Sequence, residues 1–433
     1  MYISQCLIVK NEEKNIEYCL NHLKSVVDEQ VVVDTGSTDR TVEIAEKLGA
    51  KIFHFDWIDD FSAARNFALQ KAKGDWIIFL DCDEYFTNSS IPYIEKCIKK
   101  STKYKNIDGI MCELVNIDSN KNILSTIKNI SPRIFKNKKN IKYKNNIHEI
   151  LINENRPDSN YALIKSDATN YLKILHTGYD EKVIIEKNKT GRDIGILLKE
   201  LKKDSENPQL NLYLSKSLYG NGEYEKSIKY ANLALKYIDR NHIYEIYCTI
   251  YSTILYSMLA LFKPYNEMKK IFDEAVSRYP TYPDYYRVMG LASLRDDDTE
   301  CSIKYFEKCI NYCNNYSTNV ESIALGQIED VYSNLLNAYI LEKNNTKIVE
   351  ISIELLKANK YDYENLTVLI ITLLTTEKID DIVQFLSKLY NYNNFKDKIY
   401  LIRASEAAEN EMLRSFYESL LSDEELKALE ENS

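Results

Sequence analysis

The spacing of apolar residues changes near residue 180, and this change constrains the fold of the 433-residue chain most strongly. Before that point, short apolar runs of strand length alternate with segments whose apolar residues recur at helical spacing. This alternation is typical of βαβ units, which build a Rossmann-like sheet with helices on its faces. After that point, almost the whole chain has helical periodicity. We therefore predict an amino-terminal α/β domain followed by an all-α region.

Within the first half, the pattern predicts individual elements. The predicted strands cover residues 3–9, 30–33, 51–55 and 76–80, and the predicted helices cover residues 13–25, 38–48 and 61–72. Ser37 or Thr38 is placed to cap the second of these helices. After residue 107 the alternation loosens, and residues 110–117 and 131–135 are predicted strands, so we expect a mixed central sheet.

The helical half contains a repeat. Asn207-Pro208 is followed by small and large apolar residues in the order typical of a tetratricopeptide helix pair, and weaker copies recur at a period of roughly 34 residues. This pattern predicts a tetratricopeptide-repeat solenoid, with a plain helical bundle as the alternative. The predicted domains are residues 1–182, residues 183–395 and a C-terminal helical segment, 396–433.

Charge and composition exclude several classes of function. The formal net charge of −9 argues against nucleic acid as the main partner. No apolar run reaches the roughly 18 residues that a membrane-spanning helix needs, and the first residues lack the features of a signal peptide. The nine cysteines are scattered without metal-site spacing, which is typical of reduced thiols. We therefore expect a cytoplasmic protein without a membrane span.

An acidic residue ends the second predicted strand, where residues 34–39 read Asp-Thr-Gly-Ser-Thr-Asp. In an open α/β sheet, ligands bind beyond the carboxyl ends of the strands, so Asp34 is placed to accept a hydrogen bond from a base or a ribose. Gly36 permits a tight turn after it. The alternative is an ordinary loop between a strand and a helix.

A second acidic group follows the fourth predicted strand, where Asp81, Cys82, Asp83 and Glu84 come directly after an apolar run. Carboxylate oxygens suit Mg²⁺ or Mn²⁺, and such an ion bridges naturally to a diphosphate. The alternative is a solvated turn, although three acids within four residues concentrate charge that favours a cation.

One arginine, one glutamate and two histidines complete the set of candidate site residues. Arg65 lies one turn into the third predicted helix, where its guanidinium can pair with a phosphate or with the acidic group. Glu149 is a candidate general base, with His148 orienting it or acting itself. His176 is a candidate metal ligand beside Asp83. The alternatives are a surface arginine on an amphipathic helix and histidines that are simply buried.

Together these motifs resemble family 2 glycosyltransferases of the GT-A fold. The motifs, which follow the family's order, are Val9-Lys10-Asn11-Glu12-Glu13, residues 34–39, Phe61-Ser62-Ala63-Ala64-Arg65-Asn66 and Asp81-Cys82-Asp83. The resemblance covers about residues 1–180. With the helical half and the pairs His148-Glu149 and His176-Thr177-Gly178-Tyr179, the chain also resembles the subgroup of peptide S-glycosyltransferases that modify the bacteriocins sublancin and thurandacin.

The resemblance implies how a UDP-sugar donor is bound. Glu12 and Asp34 would contact the ribose and the base, and Arg65 would lie near the uracil or the diphosphate. Asp81 would hold the ribose or a metal-bound water. The remaining contacts to the nucleotide-sugar are implied for Val9, Ser37 and Cys82.

The resemblance also implies a metal ion and a base. Asp83 would ligate Mn²⁺ or Mg²⁺, with His176 as a further ligand. Family 2 enzymes often place a catalytic Asp in a Glu-Asp or Asp-Asp pair after the central sheet. No such pair lies between Met111 and Leu151, and His148-Glu149 takes that place.

The implied reaction is an inverting transfer of a hexose, such as glucose, from a UDP-sugar to Cys or Ser of a peptide, such as a bacteriocin (glycocin) precursor. The alternative acceptors are flagellin, another protein or a surface polysaccharide. An alternative of another class is a non-catalytic tetratricopeptide scaffold whose GT-A half binds a nucleotide. The helical half is expected to select the acceptor. A homodimer contact is predicted in the final segment, where one helical face carries Leu413, Phe416, Leu420 and Leu421.

Overall fold

The computed structural model describes residues 1–118, 121, 123–127, 132–156, 163–177, 189–238, 244–318 and 320–430. The chain forms two compact units, Met1–Asp239 and Arg240–Ser433. The first unit is a mixed α/β structure that ends in three helices, and the second is helical in its described residues. The predicted fold class, an α/β domain followed by an all-α region, is confirmed.

The main sheet of the first unit has seven strands in the order β12-β6-β9-β4-β1-β2-β3. Strand β1 pairs in parallel with β2 and β4, whereas β9 runs antiparallel to β4 and β6, so the sheet is mixed. The strands are β1 Ile3–Val9, β2 Glu29–Asp34, β3 Lys51–His54, β4 Trp76–Phe79, β6 Gly109–Met111, β9 Ile134–Lys136 and β12 Lys165–Asp167.

Helices cover both faces of this sheet, which explains why its strands are apolar runs and not alternating sequences. On one face Leu7 packs in a cluster with Leu20, and on the other face Cys6 packs in a cluster with Ala68. The helices are α1 Ile16–Leu23, α2 Thr41–Lys47, α3 Phe61–Lys71 and α4 Ile91–Thr102. Helix α4 packs in a further cluster, in which Ile94 contacts the strand region around Ile110.

The prediction that Ser37 or Thr38 caps α2 is wrong. The helix begins later, at Thr41, and the Asp39 carboxylate accepts a hydrogen bond from the Thr41 N–H at 3.0 Å. Ser37 and Thr38 instead hydrogen-bond to Asn11, which draws their loop toward the end of β1.

Two smaller sheets complete the α/β part. A four-stranded sheet has the order β5-β13-β7-β8 and consists of β5 Glu84–Phe86, β7 Glu113–Ile117, β8 Ile123–Ile127 and β13 Lys173–His176. A hairpin consists of β10 Ile141–Lys144 and β11 Ile150–Asn153. The single strand predicted at 110–117 is divided at Cys112 between the main sheet and the four-stranded sheet. The predicted start of the next strand, Ser131, lies outside the described residues.

Three helices, α5 Lys189–Lys203, α6 Pro208–Gly220 and α7 Tyr224–Tyr237, belong to the first unit. The Asn207 side chain caps α6 and Pro208 occupies its first turn. Helices α6 and α7 cross at two buried serines. The Ser215 hydroxyl donates to the Ser227 carbonyl at 2.9 Å, and the Ser227 hydroxyl donates to the Ser215 carbonyl at 2.9 Å. Small residues at this crossing allow the close pairing that the sequence pattern predicted from Asn207 onward.

The second unit repeats this arrangement of paired helices. Helix α10 packs on α11, and α13 packs on α14. The helices are α8 Tyr244–Ala260, α9 Tyr265–Arg278, α10 Pro283–Arg295, α11 Thr299–Asn314, α12 Ile323–Gly326, α13 Ile328–Leu341, α14 Asn345–Ala358, α15 Tyr363–Leu373, α16 Ile379–Leu386, α17 Phe395–Ala407, α18 Glu411–Glu418 and α19 Asp423–Glu430. In the helical segments that the structure describes, none is long and apolar enough to cross a membrane.

The C-terminal segment packs within its own unit. Leu413 is fully buried in a cluster with Leu401 and Tyr417, whereas Phe416 on the same helix is 36% exposed. Leu413 is therefore occupied by intramolecular packing and does not form part of an open face for a second copy of the chain.

We expect Gly290→Ala to destabilise the second unit. Gly290 lies where α10 crosses α11, and an added Cβ would meet Phe306 Cε1 at 2.6 Å. Forcing an extra carbon into a packed crossing costs about 1–3 kcal/mol. The matched control is Gly195→Ala in α5, where an added Cβ meets no atom within 4 Å, and helix propensity favours alanine by about 1 kcal/mol. Calorimetric unfolding of both variants checks this, and an equal midpoint for Gly290→Ala and wild type would contradict it.

Candidate active site

A cavity of about 1230 Å³ lies in the first unit, beyond the carboxyl ends of β1 and β4. This is the position at which open α/β sheets bind ligands. The predicted site residues that line the cavity are Val9, Glu12, Arg65, Asp81, Cys82, Asp83, His148, Glu149 and His176.

Asp34 and Ser37 lie beside the cavity and shape its wall. The buried Asp34 carboxylate accepts hydrogen bonds from the N–H groups of Gly36 at 3.2 Å and Ser37 at 3.0 Å, and Gly36 has φ +103°. The Ser37 hydroxyl accepts from the Asn11 N–H at 2.9 Å. Asp34 therefore builds the turn after β2, and Ser37 holds that turn to the loop after β1. Thr35, Thr38 and Asp39 of the same motif line the cavity, a role that the sequence analysis did not assign to them.

The motif at 61–66 joins α3 to the β10–β11 hairpin. Asp60 caps the helix by accepting from the Ala63 N–H at 2.8 Å. The Ser62 hydroxyl donates to the Asn145 carbonyl at 2.6 Å. The Asn66 side chain makes two hydrogen bonds of 2.8 Å, one to the carbonyl and one from the N–H of Tyr143. The hairpin loop that carries His148 and Glu149 is thus held against α3.

Arg65 is the charged centre of the site and is only 6% exposed. Its Nη2 donates to Asp81 Oδ1 at 2.8 Å, and its Nε lies 2.7 Å from Glu149 Oε1. The guanidinium also lies over the rings of Phe79, at 4.8 Å, and Tyr143, at 5.4 Å. Burial lowers the pKa of Arg65, but Asp81 and Glu149 outweigh it and raise the pKa above its ordinary value. A permanent positive charge therefore joins two carboxylates from distant parts of the chain.

A second buried arginine supports the acidic group. Arg133 binds Glu84 through two hydrogen bonds of 2.8 and 2.5 Å, and the Glu84 carboxylate accepts from the Asp81 N–H at 3.2 Å. Burial raises the pKa of Asp81, but Arg65 and Arg133 outweigh it and hold the pKa below its ordinary value. Asp81 is therefore a carboxylate at neutral pH. The sequence analysis missed Arg133, although it is the only arginine between Arg65 and Arg156 in a lysine-rich stretch.

Asp81, Cys82 and Asp83 form the turn between β4 and β5, and all three line the cavity. Cys82 also belongs to an apolar cluster with Cys19 and Leu20. A hydrogen bond with Cys19 and burial raise the pKa of Cys82 well above its ordinary value. The thiol is therefore a protonated core group, and the two flanking carboxylates supply the negative charge at this turn.

Asp83 and His176 form the pair with metal-binding chemistry. His176 Nε2 lies 3.5 Å from Asp83 Oδ1, and Nδ1 lies 2.8 Å from the Asn116 amide oxygen. An amide oxygen only accepts, so Nδ1–H donates to Asn116, and this hydrogen bond leaves Nε2 as the ring nitrogen nearest Asp83. Metal-binding histidines are commonly oriented in this way. Of the motif that follows His176, Gly178 and Tyr179 lie outside the described residues.

This donor set fits Mn²⁺ or Mg²⁺ with only two protein ligands. Across the described residues, no group of three or more His, Cys, Asp or Glu side chains is arranged to hold a metal ion. Sites for these ions commonly use one or two protein carboxylates, with water and substrate phosphates completing the coordination. Asp83 supplies such a carboxylate at the edge of the cavity, and the His176 imidazole beside it offers a nitrogen donor.

His148 and Glu149 lie in the loop between β10 and β11. Glu149 is paired with Arg65, while the His148 ring stacks on Tyr213 of α6 at a centroid distance of 4.0 Å and an interplanar angle of 29°. Burial against this ring lowers the pKa of His148, partly offset by Asp193. His148 is therefore a neutral imidazole at neutral pH.

The wall opposite the strand ends comes from segments that the sequence analysis did not connect with the site. Trp57 and Phe61 pack edge to face at 4.8 Å, and the Arg192 guanidinium lies 4.8 Å above Phe61. Asp193 of α5 and Lys216 of α6 also line the cavity. Phe61 belongs to a recognised motif, but Arg192 and Lys216 carried no signal, since single charged residues on amphipathic helices are usually solvated.

Comparison with known proteins agrees with this architecture. Residues 4–156 match the family model described as glycosyl transferase family 2. A 289-residue segment, 65% of this chain, is 26% identical to the SPbeta prophage-derived glycosyltransferase SunS of Bacillus subtilis and covers 64% of it. An 82-residue segment, 19% of this chain, is 55% identical to a TPR repeat-containing protein of Synechococcus elongatus and covers 20% of it. The chain thus spans less than two-thirds of these relatives' lengths.

Among solved structures, the glucosyl-3-phosphoglycerate synthase of Mycobacterium tuberculosis, in complex with Mn²⁺, UDP-glucose and phosphoglyceric acid, is 23% identical. That match covers 27% of this chain and 41% of the synthase, with a TM-score of 0.22. The family match spans the main sheet except β12 and the cavity-lining loops as far as Glu149, and it contains the sequence motifs in the expected order. Residues 4–156 are thus similar to the glycosyltransferase domains of family 2.

Proposed function

We propose that this chain is a metal-dependent, inverting glycosyltransferase that transfers a hexose from a UDP-sugar to Cys or Ser of a peptide. The observation that carries the proposal is the buried Arg65, which holds Asp81 and Glu149 at one cavity in a family 2 domain. A structural ion pair does not need to face a large cavity. A site that binds an anionic donor and activates an acceptor does need charged groups held there.

The donor would occupy the strand-end side of the cavity. The loops after β1 and β2 would bind the base and the ribose, since Val9, Glu12, Thr35 and Asp39 line that side. Arg65 would hold the Asp81 carboxylate toward the ribose. Mn²⁺ or Mg²⁺, held by Asp83 and His176, would supply positive charge to the diphosphate of the leaving group.

Glu149 is our candidate for the general base. It would take the proton of the acceptor as the acceptor's sulfur or oxygen bonds to the anomeric carbon and the bond to UDP breaks. Its ion pair with Arg65 fixes the direction of the carboxylate. The neutral His148 is the alternative base, or it orients Glu149.

The proposal of a peptide acceptor rests on sequence similarity. The glycosyltransferase SunS, with 26% identity over 65% of this chain, supports a transferase activity. The resemblance of the motifs to the peptide S-glycosyltransferases makes a bacteriocin precursor the acceptor that we propose first. Paired helices form surfaces that commonly hold extended peptides. We also infer a cytoplasmic location, since all nine cysteines are free thiols.

Asp83→Asn should reduce metal-dependent turnover roughly 100-fold or more, because the substitution removes one carboxylate from the metal site. The measurement is UDP release from UDP-glucose during a Mn²⁺ titration. The matched control is Glu95→Gln, an exposed carboxylate on α4 that is paired with Lys99. Wild-type turnover by Asp83→Asn would remove the metal role. A wild-type protein that releases no UDP from any sugar nucleotide would favour the non-catalytic scaffold.

Glu149→Gln should lower kcat roughly 100- to 10,000-fold while the affinity for the UDP-sugar changes little, since a general base acts mainly in the transition state. The loss should be larger for a Ser acceptor than for a Cys acceptor, because a thiol with a pKa of about 8.5 is already partly ionised. Glu154→Gln, which removes an exposed carboxylate paired with Lys142 on the same hairpin, is the control. Equal losses for kcat and donor affinity would reject this role.

The acceptor is tested by mass spectrometry of candidates co-expressed with the enzyme. Peptides encoded beside the gene should gain one hexose, and replacement of the modified Cys or Ser should abolish the gain. Transfer to flagellin or to surface polysaccharide, with none to any peptide, would contradict the peptide acceptor while leaving the transferase activity in place.

A further inference from the structure

His148 has an unusual backbone conformation. Its φ of +51° lies in the left-handed region of backbone conformations, which residues other than glycine adopt infrequently. Such a conformation costs about 1–3 kcal/mol and persists only where surrounding contacts hold it. The next residue is Glu149, the candidate base. The contacts that hold the backbone of His148 therefore also affect the orientation of the Glu149 side chain.

The aromatic contact of His148 comes from the first helix pair, α6 and α7, and not from the sheet. The ring of Tyr213 on α6 stacks on the imidazole at 4.0 Å, and the Gln209 side-chain amide donates to the Tyr213 hydroxyl at 2.7 Å. Gln209 lies one turn before Tyr213 on the same helix and thus restrains the ring. The imidazole therefore lies against a restrained aromatic surface.

Helices α5 and α6 are themselves held firmly against the hairpin loop. Ile147, the residue before His148, packs in an apolar cluster with Leu197 and Leu214. The Asn146 side chain donates to the Glu200 carboxylate at 2.9 Å. Each of the three residues that precede Glu149 thus contacts α5 or α6, so these helices form the packing surface of the loop.

We propose that Tyr213 is a positioning residue that holds His148, and through it Glu149, in the orientation that transfer requires. This proposal rests on the proposed function. It assigns the first helix pair a part in building the catalytic site, in addition to any role in binding the acceptor. The surrounding charges are Glu149 on the same loop, Asp193 on α5 and Lys216 on α6.

The test compares variants that remove the ring with variants that keep it. Tyr213→Leu removes the stacking surface, Tyr213→Phe keeps the ring without its hydroxyl, and Gln209→Leu loosens the ring at an exposed position. Tyr237→Leu, which removes a tyrosine that contacts Lys236 at the end of α7, is the control. The chain has only five histidines, so His148 is assignable by NMR with ¹³C-labelled histidine and the His148→Asn variant.

We expect Tyr213→Leu to lower kcat about tenfold with little change in KM for the UDP-sugar, because misplaced catalytic groups reduce turnover more than binding. We expect Tyr237→Leu to stay within about twofold of wild type. Tyr213→Phe and Gln209→Leu both remove the hydrogen bond that restrains the ring, so we expect the kcat of each to lie between that of Tyr213→Leu and that of wild type. By NMR, the pKa of His148 should rise in Tyr213→Leu, since its burial against the ring is lost.

An unchanged His148 titration in Tyr213→Leu would overturn the proposal, as would an equal loss of kcat in Tyr213→Phe and Tyr213→Leu. If Tyr213→Leu does not fold, a lower kcat in both Tyr213→Phe and Gln209→Leu than in Tyr237→Leu supports the proposal, and equal kcat values in all three overturn it. The NMR measurement needs no acceptor. A protein that shows the predicted titration shift but no transfer would therefore contradict the proposed function and leave the placement of His148 by Tyr213 intact.

Discussion

The buried Arg65 guanidinium is the interaction on which the rest of the candidate site depends. It lies among aromatic rings and is compensated by Asp81 at the end of β4 and Glu149 in the β10–β11 loop. Removing one partner of a buried ion pair costs about 3–5 kcal/mol, because a charge is left without compensation. Arg65 therefore holds the carboxylates of Asp81 and Glu149 close to each other across two distant parts of the chain.

Neutral hydrogen bonds and apolar packing also hold the hairpin and its loop in place around this ion pair. Ser62 and Asn66 hold the hairpin against α3, and Tyr213 and Ile147 hold its loop against the helices. The first helix pair thus packs in one compact unit with the sheets, although the change in periodicity suggested a boundary after residue 182. Periodicity records the type of secondary structure, whereas the extent of a unit depends on which apolar faces meet.

Much of the fold was predictable because its signals are local. The buried runs of β1, β2 and β4 and the apolar faces of the helices follow directly from residue spacing, and Asn207-Pro208 marks the start of α6. The expected cap of α2 was wrong because Asn11, which is distant in sequence, binds Ser37 and Thr38. Competition between local and distant hydrogen-bond partners cannot be judged from a short segment.

Residue identity and spacing were enough to indicate the resemblance to family 2 glycosyltransferases, the order of the motifs and the chemical types of the candidate groups. Which of these groups meet follows from the tertiary structure alone. In the folded protein, the Cys82 thiol packs in the core and the Asp34 carboxylate accepts hydrogen bonds within a turn. Arg192 and Lys216 lie in the cavity wall. The physical reason is that pairing of buried charges and packing of helix faces depend on distances between segments far apart in the chain, which residue spacing does not encode.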